Sequence, residues 1–192
     1  DEPKSPVLQY MMAEGIPTWI PSSVNELYEM VYDAALLSEL LSQPSLILLP
    51  KNMTEAGELI EERKENEIDS VAKFSRNERR EILRRIYSGY NHIVGKGKTG
   101  IIGYGEDFDR ALEMTANIDS LRILKINFCY LNTLSLIDRF VDNCEEVICF
   151  SSLVAGIKTF VCKDQERKDE EIREYIAASI NEKQRRSLRY VG

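Results

Sequence analysis

The fold is decided by residues 101–150, which read IIGYGEDFDRALEMTANIDSLRILKINFCYLNTLSLIDRFVDNCEEVICF. Short apolar runs alternate in this stretch with segments whose apolar residues recur every three or four positions. The first pattern is typical of buried strands and the second of amphipathic helices. The predicted strands are 101–104, 122–128 and 146–150, and the predicted helices are 107–117 and 133–142. This alternation predicts an α/β fold, in which helices flank a parallel sheet with right-handed crossovers.

An N-terminal helix and strand precede this unit. Ser23-Val-Asn-Glu26 has the capping-box pattern that begins a helix, and Gln43-Pro44 ends it. Between them apolar residues recur at helical spacing, namely Leu27, Met30, Val31, Ala34, Leu37 and Leu41. The apolar run 45–49 then ends at Pro50, which predicts a short buried strand of a parallel sheet.

The middle of the chain is more charged. Glutamates crowd residues 51–73, which indicates a linker or a solvated helix. A second capping box, Ser75 to Glu78, predicts a helix with arginines on one side and Ile82, Leu83, Ile86 and Tyr90 on the other. We expect His92 at the end of this helix and a loop at 95–100. Beyond the sheet, 157–162 is a candidate strand and 169–188 a charged amphipathic helix.

The overall composition is that of an ordinary globular protein. Of 192 residues, 43% are hydrophobic and 30% are charged, and the formal net charge is −7. A broad basic surface for nucleic acid is therefore not expected, whereas an acidic surface can dock basic patches on partner proteins. No apolar run approaches the roughly 20 residues of a membrane span. The first residues, Asp1-Glu-Pro-Lys-Ser, have no signal-peptide pattern.

The cysteines indicate a reducing compartment. Cys129, Cys144, Cys149 and Cys162 lie in or beside apolar runs, with no CxxC pair and no nearby histidine. Their spacing matches neither a zinc site nor a tight disulfide framework. We expect free buried thiols, no metal site and a cytoplasmic protein.

The loop at 95–100 superficially resembles a phosphate-binding loop, because Gly97-Lys98-Thr99 matches the end of a P-loop. His92 stands where the first glycine of that motif is required. The predicted helix also precedes the loop, whereas a P-loop needs a helix after it. We interpret this segment as a basic turn that enters a strand.

Gly103 and Gly105 are the candidate cofactor-binding residues. They lie between a predicted strand and a predicted helix, where glycines allow backbone or ligand to approach closely. However, Phe108 occupies the third glycine position of the dinucleotide fingerprint. Glu106 and Asp107 would also repel a phosphate at the start of the helix. A structural turn is therefore the favoured interpretation.

No catalytic residue is expected. His92 could act as a base near neutral pH, but no nucleophile or carboxylate accompanies it at catalytic spacing. Trp19 and Tyr10 are interpreted as core or interface residues.

Two separated stretches resemble, in order, the alpha subunit of indolepyruvate and related 2-oxoacid:ferredoxin oxidoreductases. Residues 16–39 (IPTWIPSSVNELYEMVYDAALLSE) and 43–48 (QPSLIL) are similar to the segment that closes that family's pyrimidine-binding domain. The second stretch looks like the family's transketolase carboxyl-terminal-like domain and comprises 95–105, 121–127 and 145–150. The residue patterns and the resemblance together predict four units: a partial pyrimidine-domain-like segment (1–50), a charged helical linker (51–94), the transketolase-like α/β domain (95–165) and a C-terminal amphipathic helix (166–192).

The resemblance also implies thiamine diphosphate and Mg²⁺ in the complete complex. The family's activating glutamate, its diphosphate-binding Gly-Asp-Gly segment and its ferredoxin-type cysteines have no counterpart in the matched stretches. We therefore expect no cofactor on this chain alone and no activity of the chain by itself. It would be a non-catalytic or incomplete component that assembles with other protein subunits or copies of itself. The alternative is a stand-alone α/β interaction or regulatory domain that binds a protein partner.

Overall fold

The computed structural model describes residues 10–11, 13–50, 53, 57, 59–60, 74–115 and 120–149. The α/β class predicted from the sequence is confirmed. In chain order the elements are β1 (Thr18–Trp19), α1 (Val24–Leu41), β2 (Leu46–Ile47), α2 (Arg76–Tyr90), β3 (Asn91–Gly95), β4 (Thr99–Gly103), α3 (Glu106–Thr115), β5 (Leu121–Ile126), β6 (Phe128–Cys129), α4 (Thr133–Asp142) and β7 (Glu146–Cys149). Most of the segment 51–73, the candidate strand at 157–162 and the helix at 169–188 lie outside the described residues.

The larger sheet has the strand order β3-β5-β4-β7 within the described part of the chain. Strand β4 pairs in parallel with β5 and with β7, as the alternation of strands and helices predicts. Ile101 and Ile102 of β4 are both fully buried, although they point to opposite faces of the sheet. Burial on both faces explains why this strand is a continuous apolar run.

The prediction for residues 91–95 was wrong. Helix α2 ends at Tyr90, and His92 lies in strand β3, antiparallel to β5, instead of at a helix end. The side-chain amide of Asn91, the first residue of β3, bonds to the chain just after β5. Its Oδ1 accepts hydrogen bonds from the N–H groups of Asn127 and Phe128, both at 3.0 Å, and its Nδ2 donates to the Phe128 carbonyl at 2.7 Å. These bonds fix the chain beside the end of β5.

A smaller sheet has the order β2-β1-β6. The predicted strand near residue 46 is confirmed as a parallel partner of β1, but it is two residues long and only half-buried because it lies at the edge of this sheet. Strand β1 also pairs antiparallel with β6, which follows β5 almost directly. The N-terminal segment is therefore bonded to the unit that contains the larger sheet.

Trp19 forms the centre of the core beneath helices α1 and α2. Its side chain is fully buried, with ring centroids 4.4 Å from Phe128 and 5.2 Å from Tyr90. Met30 and Ile86 of the two helices belong to the same buried cluster. Trp19 is thus a core residue, as interpreted from the sequence, whereas Tyr10 is exposed.

The two predicted helix starts differ in detail. At Ser75 and Glu78 the full capping box is present, with both reciprocal hydrogen bonds. At Ser23 only half of the box forms, since its side chain accepts from the Glu26 N–H. The Glu26 carboxylate does not accept the second hydrogen bond of the box, from the Ser23 N–H. It accepts hydrogen bonds from Ser22 and from Lys125 of the larger sheet instead.

Candidate functional site

The carboxyl ends of the parallel strands are the first place to look for a site. In open α/β sheets, ligands bind at this edge, where the strand order reverses. The chain passes from β4 through α3 to β5 on one side, then through α4 to β7 on the other side of β4. The candidate residue Gly103 ends β4, and Gly105 follows two positions later, so both lie at this edge.

Both glycines are required by packing. A Cβ atom added to Gly103 would lie 2.6 Å from the Cα atom of Phe108, so only glycine lets helix α3 pack this closely on β4. Gly105 has a φ of +55°, and its N–H donates to Oδ1 of Asn127 at 2.7 Å. These contacts support the structural turn that the sequence favours. A cofactor role for either glycine stays a prediction.

A buried polar network surrounds this turn. One oxygen of Glu26 accepts a hydrogen bond from Nζ of Lys125 at 2.9 Å. The other accepts from the N–H and Oγ of Ser22, at 2.8 and 2.6 Å, and from Nδ2 of Asn127, at 2.8 Å. Only 15% of the Glu26 side chain and 12% of the Lys125 side chain are exposed. The network therefore joins the start of α1, the end of β5 and the turn at Gly105.

The electrostatics of this network favour an ionised carboxylate. Burial raises the pKa of Glu26. This effect is outweighed by the hydrogen bonds from Ser22 and by the hydrogen bond and positive charge of Lys125, which lower the pKa. The pKa of Glu26 is consequently lower than its ordinary value. A carboxylate with four donors is a structural anchor, and its low pKa makes it a poor general base.

His92 lies beside this network on strand β3. Its ring contacts Phe108 edge-on, with centroids 5.4 Å apart, and Nζ of Lys125 lies 5.3 Å from the centroid of Phe108. Burial and then the Lys125 charge lower the pKa of His92, while Glu26 and Asp109 act in the opposite direction. The balance of these effects favours the neutral imidazole over the charged form.

The described residues of this edge do not fit a magnesium diphosphate group. The first turn of α3 carries Glu106, Asp107 and Asp109, which repel an anion at the helix start. The N–H of Gly105 already donates to Asn127. Within the described ranges, no cluster of three or more His, Cys, Asp or Glu side chains could hold a metal ion.

The thiols that the structure describes agree with the sequence analysis. Cys129 is free and buried, and burial raises its pKa to about 12. Cys144 is partly buried and forms no disulfide bond within the described residues. A thiol with so high a pKa is a packing residue and not a nucleophile. The side chain of Cys149 and the whole of Cys162 lie outside the described residues.

A groove of about 640 Å³ lies between helix α2 and the start of helix α4. Its apolar floor is formed by the partly exposed side chains of Leu83, Tyr87 and Tyr130, above the fully buried Phe128. The full lining comprises Arg80, Leu83, Arg84, Tyr87, Ser88, Phe128, Tyr130, Leu131, Asn132, Ser135 and Arg139. Three arginines contribute to the described lining, and no acidic residue does. The groove thus combines an apolar floor with a positively charged rim.

The rim arginines occupy both walls of this groove. Arg84 of α2 forms an ion pair with Glu81 at 3.4 Å, but both side chains are more than 70% exposed, so the pair is weak. Nε of Arg139 donates to the Ser135 carbonyl at 3.1 Å, which holds this guanidinium on the α4 wall. The sequence analysis placed the arginines of α2 on the side opposite Leu83, but Arg80 and Arg84 line the groove together with Leu83. The groove itself was missed, because it exists only when α4 packs beside α2.

The sequence matches no protein-family model and no curated protein. Among solved structures, the chain is similar to a 2-oxoglutarate:ferredoxin oxidoreductase from Magnetococcus marinus, solved with 2-oxoglutarate, coenzyme A and succinyl-CoA bound. The TM-score is 0.46 and the sequence identity 13%, and the match covers 77% of this chain but 37% of that chain. Which subunit or domain of such an enzyme this chain corresponds to stays a prediction. Within the described residues, no helix has the length and apolar character to cross a membrane.

Proposed function

We propose that this chain is a non-catalytic or incomplete component of a cytoplasmic 2-oxoacid:ferredoxin oxidoreductase, in which it contributes to subunit assembly. The class of enzyme comes from the sequence resemblance of residues 16–48 and 95–150. The assembly role is supported by the groove between α2 and α4. An apolar floor with a charged rim is the anatomy of a protein-binding surface.

The exposed leucines beside the groove support the same role. Leu131, just before α4, is 67% exposed, and Leu134, in the first turn of α4, is 56% exposed. Both side chains add apolar area beside the groove that a bound partner could bury. The polar groups at the carboxyl edge of the sheet, by contrast, bond to one another and stabilise the scaffold.

Purification from the native cell at native abundance tests this proposal. We expect the chain to elute with other polypeptides in fixed stoichiometry, at least one of which carries thiamine diphosphate or an iron–sulfur cluster. Native mass spectrometry measures the stoichiometry, and thiochrome fluorescence and iron analysis identify the cofactors. Recovery of the chain as a monomer, or with partners that carry neither cofactor, would contradict the enzyme-component proposal and favour a stand-alone interaction domain.

We further predict that thiamine diphosphate with Mg²⁺ leaves the Tm of the isolated chain unchanged. Any ligand that binds the native state must raise Tm with its concentration. Differential scanning fluorimetry over a titration of the coenzyme at fixed Mg²⁺ measures the effect, with Mg²⁺ alone as the control. A saturable rise of several degrees would show that this chain does hold the coenzyme.

A further inference from the structure

We infer that the groove between α2 and α4 binds an acidic amphipathic helix of a partner protein. This inference rests on the proposed assembly function and names the chemistry of the segment that docks. It follows from the shape of the groove, the position of its charges and the exposure of its apolar residues.

The shape fits a helix. On α2 the lining residues recur every three or four positions from Arg80 to Ser88, so they lie along one face of the helix. The opposite wall, from Leu131 to Arg139, has the same length in residues. At 1.5 Å per residue in a helix, the α2 wall is about 12 Å long, which corresponds to about two turns. A third helix can therefore lie along these walls and place its apolar stripe on the partly exposed Leu83, Tyr87 and Tyr130.

The charges select an acidic helix. Arg80 and Arg84 lie on one wall and Arg139 on the other, so carboxylates on either side of an apolar stripe would each meet a guanidinium. Guanidinium groups bind carboxylates in a bidentate geometry and suit such interfaces better than lysine does. A basic helix would face three positive charges without a described acidic residue in the lining. The net charge of −7 opposes a distant acidic partner, so the attraction is local and sensitive to salt.

A synthetic probe tests the inference. The probe is a fluorescein-labelled, end-capped peptide of about 14 residues, with leucines at helical spacing flanked by glutamates and the remaining positions alanine. Fluorescence anisotropy against the full chain should show saturable binding that weakens as salt is raised. Two matched peptides are controls: one has the same composition in scrambled order, and the other has lysine in place of each glutamate. We expect each control to bind at least about tenfold more weakly.

Variants of the chain locate the site. Arg84→Glu combined with Arg139→Glu should weaken binding of the probe by about tenfold or more, because both walls then repel carboxylates. Leu131→Ser should weaken it through loss of apolar contact. All three positions are exposed, so these variants should fold. Lys96→Glu, an exposed residue in the turn between β3 and β4, makes the same charge change per site away from the groove and should leave affinity within about twofold.

Several outcomes would overturn the inference. It fails if the probe does not bind, if it binds the Arg84→Glu/Arg139→Glu variant as tightly as the natural chain, or if the scrambled peptide binds equally well. It also fails if the groove variants abolish a dimer of the natural chain, since the groove would then bind a second copy. If a cofactor-bearing companion copurifies with the natural chain and with the double variant alike, the assembly function stands and this docking site is wrong. If the probe binds as expected but no such companion exists, the docking site stands and the oxidoreductase role is wrong.

Discussion

Replacing Glu26 with alanine should lower the free energy of unfolding by about 3–5 kcal/mol, the cost of breaking a buried ion pair by removing one partner. The substitution leaves Nζ of Lys125 without its carboxylate in a position where only 12% of that side chain is exposed. It also removes the acceptor for Nδ2 of Asn127, the residue that holds the turn at Gly105. Urea denaturation of the natural chain and the variant measures the difference.

Glu39→Ala is the matched control for this substitution. Glu39 lies on the same helix, α1, but is exposed, so its removal should change stability by no more than about 0.5 kcal/mol. Equal losses in the two variants would show that the network does not stabilise the fold. A loss below about 1 kcal/mol for Glu26→Ala would show that Lys125 reaches water when its partner is absent.

The effect of Glu26 should also depend on pH in a defined direction. The pKa of Glu26 is lower in the folded chain than its ordinary value of 4.5, so the unfolded chain binds the proton more readily. The stabilisation is therefore fully present above the unfolded pKa and is lost as the pH falls through the lower, folded pKa. The difference in stability between the natural chain and Glu26→Ala should be constant near neutrality and shrink in acid. A difference that grows below pH 4.5 would contradict this assignment.

The helices and strands whose bounds depend on neighbouring residues could be predicted from the sequence. The start of α2 at Ser75 and the parallel strands β4 and β7 follow from capping and apolar patterns within a few residues. Strand β3 was missed because its start depends on Asn91, whose side chain bonds to residues 36 and 37 positions later in the chain. Local periodicity contains no information about such a partner.

In the candidate sites, too, the features set by neighbouring residues were predictable and those set by distant residues were not. Glu26 was recognised from its spacing to Ser23, but its carboxylate bonds to Lys125 and Asn127, 99 and 101 positions away. Gly103 and Gly105 were recognised because a close backbone approach between strand and helix has a local signature. The groove needs two helices from distant parts of the chain, so the sequence indicated its arginines without indicating what they surround.

Gly103→Ala and Gly89→Ala should change stability in opposite directions, although the chemical change is the same. At Gly103 the new methyl group would lie 2.6 Å from Cα and 2.8 Å from N of Phe108, so it meets the backbone of α3 and not a flexible side chain. Helix α3 would have to move away from β4, which exposes Phe108 and Ala111, both now buried. We expect a loss of about 3 kcal/mol, at the upper end for overpacked sites.

Gly89 offers the matched comparison because it lies in helix α2 and a methyl group there would meet no atom within 4 Å. Alanine restricts the unfolded chain and favours the helix, so Gly89→Ala should stabilise the fold by about 0.5–1 kcal/mol. Thermal and urea denaturation of the three proteins measure both effects. If Gly103→Ala is neutral, α3 does not pack on β4 as closely as the geometry requires, and the turn at Gly105 has room for a ligand. If it is destabilising while Gly89→Ala stabilises, the glycine that ends β4 is held by helix packing alone.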